Sequence, residues 1–170
     1  MGRYGSRVCD VPWTIREGIP GDFEFLTSML AHAAVWQQGA DVPESEAVLA
    51  IPELARYIGG WPRPGDFALF AVGPAPIGAV WWRQLTAREA GFGYVADDIP
   101  EIAMAVRPDC RGRGIGTTLL QGLIATAEGE GLPALSLSVD RENPAIHLYE
   151  RLGFTAIGGA GSSLTMVRRF

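Results

Sequence analysis

The sequence predicts a single-domain α/β fold of the α+β type, in which a mixed and mostly antiparallel sheet contains a central parallel strand–helix–strand unit. The length of 170 residues suits one domain, and 48% of the residues are hydrophobic, which is enough for a core. Several apolar segments of strand length follow one another across short turns rich in glycine and proline, which is typical of antiparallel hairpins. Between Ile102 and Val139 a helical pattern separates two apolar strands, and such a connection makes the strands parallel.

The N-terminal part of the chain begins with a segment that carries no periodic pattern. Residues 1–12 are therefore predicted to form a flexible arm, and the domain is predicted to comprise residues 13–170. Asp22 stands where a helix cap is expected, and Pro52 should kink or split a later helix. The elements predicted here are, in order, a strand at 13–16, a helix from Asp22 to Trp36, a helix at 44–58 and a turn at 59–65.

Most of the remaining predicted elements are strands. Leucine and valine alternate with serine over residues 134–139, which predicts a strand with one covered face. Residues 86–100 show no period and are expected to form a loop, with an irregular strand near 92–95. The predicted strands are 66–72, 77–85, 102–106, 134–139, 154–157 and 163–167.

Two further helices are predicted in the C-terminal half. From Thr117 to Glu130 the apolar residues fall on one helical face, and glycines mark the end of the segment. Asn143 followed by Pro144 is typical of a helix start, with Asn143 as the cap and Pro144 in the first helical position.

A glycine-rich turn joins the strand that ends at Val106 to the helix that follows. It reads Arg111-Gly112-Arg113-Gly114-Ile115-Gly116. Backbone N–H groups at a helix start favour a bound anion, and glycine lets the backbone approach that anion closely. Arg111 and Arg113 add positive charge that suits phosphate oxygens. The sequence therefore predicts that this loop, residues 111–116, binds a phosphorylated ligand.

The spacing of its glycines distinguishes this loop from two common phosphate-binding motifs. A P-loop needs Gly-Lys-Ser/Thr, and this chain contains no lysine. A Rossmann fingerprint needs G-x-G-x-x-G, whereas the spacing here is G-x-G-x-G. The glycine spacing and the lack of lysine thus disfavour a nucleotide, which is kept as the alternative phosphorylated ligand of this loop.

Two segments together resemble one known family. Arg111, Gly114 and Gly116 match the Arg/Gln-x-x-Gly-x-Gly/Ala signature of the GCN5-related N-acetyltransferase (GNAT) superfamily. Residues 143–154, which read Asn-Pro-Ala-Ile-His-Leu-Tyr-Glu-Arg-Leu-Gly-Phe, resemble its second recurrent segment. The match covers about a third of the chain, and the two segments occur in the family's order. The resemblance implies helices on both faces of the sheet and transfer of an acetyl group from acetyl-CoA to a primary amine by direct attack, with no metal.

The resemblance also implies which residues hold acetyl-CoA. The loop would bind the pyrophosphate, Thr117 would add a hydroxyl, and a backbone N–H at Ala105 or Val106 would polarise the acetyl carbonyl. The residues expected to bind the cofactor are Ala105, Val106, Arg111, Gly112, Arg113, Gly114, Ile115, Gly116, Thr117 and Asn143.

The catalytic candidates are a phenol and a carboxylate. Tyr149 matches the tyrosine of the second segment, which the family commonly uses as the general acid for the departing thiolate; its alternative role is packing on a helix face. Glu101 begins the strand before the loop, where some family members carry a catalytic glutamate. An ordered water, Asp97 or Asp98 are alternatives to Glu101 as the base.

The site of the amine acceptor is not marked by a motif. Trp81 and Trp82 are adjacent on a strand and should point to opposite faces, one into the core and the other towards the acceptor. His32 is a further candidate, whereas His147 is expected to be exposed. Four more aromatic residues are candidates for the acceptor site, each with core packing as its alternative: Trp36, Trp61, Phe92 and Tyr94.

Composition limits the partners. The net charge of −5 disfavours nonspecific binding to nucleic acid. Cys9 and Cys110 form no metal pattern or disulfide framework, and no apolar run is long enough for a membrane span, so a soluble cytoplasmic protein is expected. The expected acceptor is a small-molecule amine or a protein amine. The sequence does not decide whether the protein forms a homodimer. The alternative function is a non-catalytic acyl-CoA-binding or regulatory module.

Overall fold

The computed structural model describes residues 12–37 and 39–170. The predicted N-terminal arm lies, except for Pro12, outside the described residues. Within these ranges a single sheet of seven strands forms the centre of the fold, in the order β1-β2-β3-β4-β5-β7-β6. The strands are β1 (Thr14–Glu17), β2 (Phe67–Val72), β3 (Pro76–Arg83), β4 (Glu101–Val106), β5 (Ala134–Asp140), β6 (Thr155–Ala160) and β7 (Ser163–Arg169).

The sheet is mixed, as the sequence predicts. The pairs β1–β2, β2–β3, β3–β4, β5–β7 and β6–β7 are antiparallel, and only β4 and β5 are parallel. The crossover through a helix between β4 and β5 explains that exception, because antiparallel neighbours need only a tight turn. The predicted fold class is therefore confirmed.

Helices cover both faces of the sheet. They are α1 (Phe23–Ala34), α2 (Ser45–Leu49), α3 (Pro52–Ala55), α4 (Ile115–Gly129) and α5 (Ile146–Arg151). One apolar core combines Trp82 with residues of α4 and α5, and the other combines Trp81 with residues of α1 and α2. The adjacent tryptophans thus point to opposite faces, as strand geometry requires.

Three local features differ from the sequence prediction. The carboxylate of Asp22 does not cap α1; it accepts the N–H of Ile19 at 2.8 Å and pairs with the guanidinium of Arg16 at 2.7 Å. Pro144 lies two residues before α5, because the Asn143 side chain closes a turn by accepting the Ala145 N–H at 2.9 Å. No strand forms at 92–95, where the chain makes turns instead.

Other element bounds shift by a few residues. The helix α4 begins at Ile115 rather than Thr117, since Gly114 adopts a left-handed conformation and ends the preceding loop. The strand β6 continues to Ala160, so the turn into β7 is shorter than predicted. The split at Pro52 is confirmed, because α2 ends at Leu49 and α3 begins at Pro52.

Buried hydrogen bonds and an ion pair hold the segment after α3, residues 56–66, against β3. Arg83 is 1% exposed and forms a bidentate pair with Asp66, at 3.0 Å for Nε–Oδ1 and 2.5 Å for Nη2–Oδ2. Its other terminal nitrogen donates to the carbonyls of Arg56 and Gly59, both at 2.9 Å. This anchoring fixes the position of Tyr57, which forms part of the site below.

Candidate active site

A cavity of about 1010 Å³ opens beside the central strands. All six residues of β4 line it, together with residues 137–140 of β5. The register links β4 and β5 only through Glu101 and Ser136, so the two strands separate towards their carboxyl ends. The sheet is therefore split at the point where the cavity lies.

The glycine-rich loop forms one end of this cavity. Gly112 and Gly114 have φ of +75° and +78°, and a Cβ added to either would meet no protein atom within 4 Å. These positions need glycine for their backbone conformation, and they face open space that a ligand can fill. Gly114 is the N-cap of α4 and has no side chain with which to satisfy the first N–H groups of the helix, those of Ile115, Gly116 and Thr117.

Arg111 connects this loop to two other walls of the cavity. Its Nε donates to the carbonyl of Val106 at 3.2 Å, and its Nη1 donates to the carbonyl of Trp36 at 3.3 Å. The end of β4, the loop and the segment after α1 are thereby held together. Arg113 is exposed and does not line the cavity, unlike the other residues predicted to bind the cofactor.

The register of β4 determines which backbone groups face the split. Arg107 N–H donates to Ile77 of the segment paired with β4, and Val106 is opposite Gly78. Since N–H directions alternate along a strand, the Ala105 N–H points towards β3 and the Val106 N–H points towards β5. Ala105 lines the cavity, but only the Val106 N–H is directed into the split.

Glu101 is a buried carboxyl in the cavity wall. It is 2% exposed, and its Oε1 accepts the Tyr57 hydroxyl at 2.5 Å and the Gly93 N–H at 2.8 Å. Its Oε2 is buried without a hydrogen-bond partner. Burial raises the pKa of Glu101 to about 6, against the lowering effect of the Tyr57 and Gly93 hydrogen bonds and of the nearby Arg56 charge.

A short loop, residues 91–93, covers this carboxyl. A Cβ at Gly91 would lie 2.2 Å from Oε2 of Glu101, and a Cβ at Gly93 would lie 2.4 Å from the carbonyl carbon of Leu137. Glycine is needed at both positions because the backbone approaches its neighbours so closely. The Phe92 N–H donates to the Tyr57 hydroxyl at 2.8 Å, and burial together with the Glu101 charge raises the pKa of Tyr57. Tyr57 therefore stays protonated and can donate to Glu101.

Tyr149 lies in the wall formed by α5. Its ring packs edge-on against Phe154 with the centroids 6.0 Å apart, so the predicted packing role is present. The residue also lines the cavity, and burial raises the pKa of its phenol to about 12. The hydroxyl is thus a hydrogen-bond donor at neutral pH. Asn143 lines the same side of the cavity.

The acceptor candidates divide into those that reach the cavity and those that do not. Trp81 and Trp82 are both buried, and they donate to the carbonyls of Tyr57 at 3.1 Å and Gly65 at 2.9 Å. The prediction that one of them lines the acceptor site is wrong, because both stabilise the 56–66 segment from within the two cores. The candidates that line the cavity are His32, Trp36 and Phe92; Trp61 and Tyr94 do not.

The other ionisable candidates also have defined positions. Asp97 and Asp98 do not line the cavity, and Asp97 accepts the Ala87 N–H at 2.9 Å. His32 has a buried Nδ1 without a partner, and burial together with the Arg111 charge lowers its pKa. His147 is exposed, as predicted.

Sequence reasoning did not identify two residues of the site. Tyr57 reaches Glu101 from 44 positions away in the chain, and no local pattern marks it. Arg151 lines the cavity from α5, and no pattern in its segment marks it apart from the residues around it.

The described residues form neither a metal-ligand cluster nor a helix suited to crossing a membrane. Among them, no group of three or more His, Cys, Asp or Glu side chains is placed to hold a metal ion. None of the helices in residues 12–37 and 39–170 is long and apolar enough to cross a membrane.

Comparison with known sequences identifies relatives of the chain. The sequence model of the Acetyltransferase (GNAT) family matches residues 31–154. A mycothiol acetyltransferase from Streptomyces bingchenggensis is 32% identical over 144 residues, which are 84% of this chain and 42% of that protein. An uncharacterized N-acetyltransferase from Methanocaldococcus jannaschii is 36% identical over 68% of this chain and 51% of its own length. The chain thus spans about two fifths to one half of the length of these relatives.

Solved structures share the fold. The PaiA N-acetyltransferase from Thermoplasma acidophilum, solved in complex with coenzyme A, superposes with a TM-score of 0.65 at 18% identity over 94% of this chain and 99% of its own. YncA from Salmonella typhimurium, a structure described as a putative acetyltransferase with its cofactor acetyl-CoA, gives 0.65 at 22% identity over 92% and 93%. Together with the loop at the head of α4 and the split between β4 and β5, the family match over residues 31–154 shows that this chain belongs to the acetyltransferase (GNAT) family.

Proposed function

We propose that this protein is an N-acetyltransferase that transfers the acetyl group of acetyl-CoA to a primary amine. One observation carries the proposal: the phosphate-type loop, a buried carboxyl and a protonated phenol all line the same cavity. The family match and the two solved relatives with coenzyme A or acetyl-CoA support the choice of cofactor.

The residues present fit the cofactor. Ile115, Gly116 and Thr117 offer N–H groups at the positive end of the α4 dipole, which suits a pyrophosphate. Gly112 and Gly114 leave open space above their backbone, and Arg111 adds a fixed cation at the edge of the cavity. Bound there, acetyl-CoA supplies an acetyl group activated as a thioester.

Val106 is the better of the two backbone candidates for the acetyl oxygen. Its N–H is directed into the split between β4 and β5, whereas the Ala105 N–H points towards β3. A fixed N–H donor of this kind stabilises negative charge as it develops on the oxygen, which is commonly the largest single contribution to acyl transfer.

Glu101 is the proposed acceptor of the amine proton. With a pKa of about 6 it is ionised at neutral pH and still basic enough to take a proton from the nitrogen as its bond to carbon forms. Because loop 91–93 covers the carboxyl, the proton passes through a water or after a small movement of that loop. Tyr57 and Gly93 hold Oε1, which leaves Oε2 as the oxygen that receives the proton.

Tyr149 is proposed to stabilise the departing sulfur. An ordinary thiol has a pKa of about 8.5, well below the value of about 12 for this phenol. Full transfer of the phenolic proton to a thiolate is therefore unfavourable, and the role that fits best is donation of a hydrogen bond to the sulfur as negative charge accumulates on it.

The first experiment measures the melting temperature with acetyl-CoA, with NAD and ATP as controls. A ligand that binds only the native state at about a hundred times its Kd adds roughly 2.7 kcal/mol, which shifts the midpoint of a domain of this size by several degrees. The proposal expects a shift with acetyl-CoA alone, followed by CoA release when amines are added. A larger shift with a nucleotide would contradict it, and binding without CoA release with any amine would favour the non-catalytic module.

A further inference from the structure

Part of the cavity lining is apolar, and these residues form the apolar wall. Two large apolar side chains of this wall are exposed: Phe92 at 60% and Ile51 at 45%. The Phe92 ring stacks on Tyr57 with the centroids 6.4 Å apart and the planes inclined by 18°. The lining of this wall is completed by Leu30, Ala33 and Leu54.

The charged groups of the cavity are unevenly distributed. Apart from its tyrosines and cysteine, the ionisable residues that line it are His32, Glu101, Arg111, Asp140 and Arg151. Arg111 belongs to the phosphate loop, while Asp140 and Arg151 belong to the end of β5 and to α5. Glu101 is thus the one carboxylate among the described residues of the apolar wall; the nearby Arg56 charge acts on it, and burial lowers the pKa of His32.

This distribution defines which amines the wall accepts. A single amine group can reach Glu101 through a water, and an apolar body can lie on Phe92, Ile51 and Leu54. A second ammonium on the substrate would meet these apolar side chains without an anionic partner. We propose that the acceptor is a small primary monoamine with an aromatic or branched aliphatic body, and that diamines are poor substrates. This inference rests on the proposed acetyltransferase function.

The reaction balances without a further reactant. The amine nitrogen forms a bond to the acetyl carbon while the carbon–sulfur bond breaks, and the nitrogen proton passes to Glu101. The sulfur leaves as the CoA thiolate, which takes up one proton from solvent while Glu101 returns its proton to solvent, so the products are the N-acetylated amine and CoA.

The test compares two amines of similar size, 2-phenylethylamine and 1,5-diaminopentane, by the rate of CoA release. Because the second ammonium of the diamine would lie unpaired on apolar side chains, kcat/KM for 2-phenylethylamine should exceed that for 1,5-diaminopentane at least about tenfold. An equal or higher value for the diamine would overturn the inference.

Two variants test whether the apolar wall sets this preference. Ile51 is the N-cap residue of α3, where aspartate is favoured, so Ile51→Asp should fold well. It places a second carboxylate at the wall and should narrow or reverse the preference over 1,5-diaminopentane. Phe92→Ala should lower kcat/KM for 2-phenylethylamine several-fold and leave KM for acetyl-CoA nearly unchanged. Ile157→Asp is the control, because Ile157 is similarly exposed and does not line the cavity.

The results separate the inference from the function on which it rests. If both variants keep the wild-type preference, the wall does not select the amine and the inference fails, while acetyl-CoA binding and CoA release still support the acetyltransferase. If acetyl-CoA gives no thermal shift and no amine releases CoA, the proposed function itself fails and the inference with it.

Discussion

Glu101 combines two properties that seldom occur together in a carboxyl group: it is 2% exposed, and one of its oxygens has no hydrogen-bond partner. The sequence could place this residue at the start of a strand before the glycine-rich loop. It could not show that Tyr57 and Gly93 hold the side chain, since those contacts depend on how distant segments pack.

Replacing Glu101 by glutamine tests the base. The side-chain oxygen of Gln can still accept from Tyr57 and Gly93, so the geometry should persist. Wild-type kcat/KM should fall as the pH drops below about 6, because Glu101 becomes protonated. Glu101→Gln should lose that dependence and be slower at pH 8 by about 100-fold. An unaltered pH–rate profile would dismiss Glu101 as the base.

The same variant should change stability in a defined pH window. The folded-state pKa of about 6 lies above the ordinary value of 4.5, so the folded protein is destabilised when the carboxyl ionises. This destabilisation is absent below about pH 4.5, grows between 4.5 and 6, and reaches about 2 kcal/mol above that range. Glu101→Gln should therefore melt higher than wild type at pH 7 and not at pH 4.

Tyr149→Phe tests the hydrogen bond to the departing sulfur. The ring packs on Phe154, and phenylalanine preserves that contact, so the fold should be unaffected. We expect kcat to fall by roughly 10- to 100-fold with little change in KM for acetyl-CoA, because the bond strengthens only as charge develops. Tyr94→Phe, outside the cavity, serves as the control. Unchanged turnover in Tyr149→Phe would leave the tyrosine with a packing role alone.

At the scale of elements, the unit from β4 through the glycine-rich loop to α4 brings together strand end, turn and helix start. Its parts are local in sequence, which is why the order of elements and most of their bounds could be predicted. The left-handed conformation of Gly112 and Gly114 is the physical basis of the motif, since other residues rarely adopt it. It also explains why α4 begins at Ile115.

Gly114→Ala tests this loop. A Cβ there faces open space, so the protein itself offers no clash, but the φ of +78° costs about 1–2 kcal/mol for an L-residue and the methyl group enters the ligand's space. Affinity for acetyl-CoA, measured by calorimetry, should fall by about tenfold or more. Gly129→Ala at the other end of α4, with no positive φ and no neighbour within 4 Å, should bind normally. Equal affinities in the two variants would mean that the loop does not hold the cofactor.

At the scale of the whole molecule, the apolar wall of the cavity depends on contacts that span the chain. Arg83 on β3 holds residues 56–66, and Tyr57 of that segment holds Glu101 on β4. Sequence patterns describe a strand or a helix one at a time. They predict that one of Trp81 and Trp82 faces the acceptor because adjacent strand residues point to opposite faces. Their partners are backbone carbonyls at Tyr57 and Gly65, which only the folded chain brings near.

Asp66→Ala should destabilise the fold strongly. The side chains of Arg83 and Asp66 are 1% and 2% exposed, and removal of one partner leaves a buried charge unpaired, which costs about 3–5 kcal/mol. The melting temperature should fall by roughly 10 °C. Glu89→Ala breaks the exposed pair of Glu89 with Arg63 and should cost less than about 1 kcal/mol. Similar melting temperatures for the two variants would contradict the anchoring role of Arg83.

The single register pair between β4 and β5 has a mechanical consequence. Strands β1–β4 form one antiparallel group and strands β5–β7 form another. The two groups are linked by the single β4–β5 register pair and by helix α4. A ligand bound as proposed, with its acetyl oxygen at the Val106 N–H and its sulfur at Tyr149, would connect β4 to the helix α5 that follows β5. We therefore expect acetyl-CoA to slow amide hydrogen exchange in β4 and β5 together.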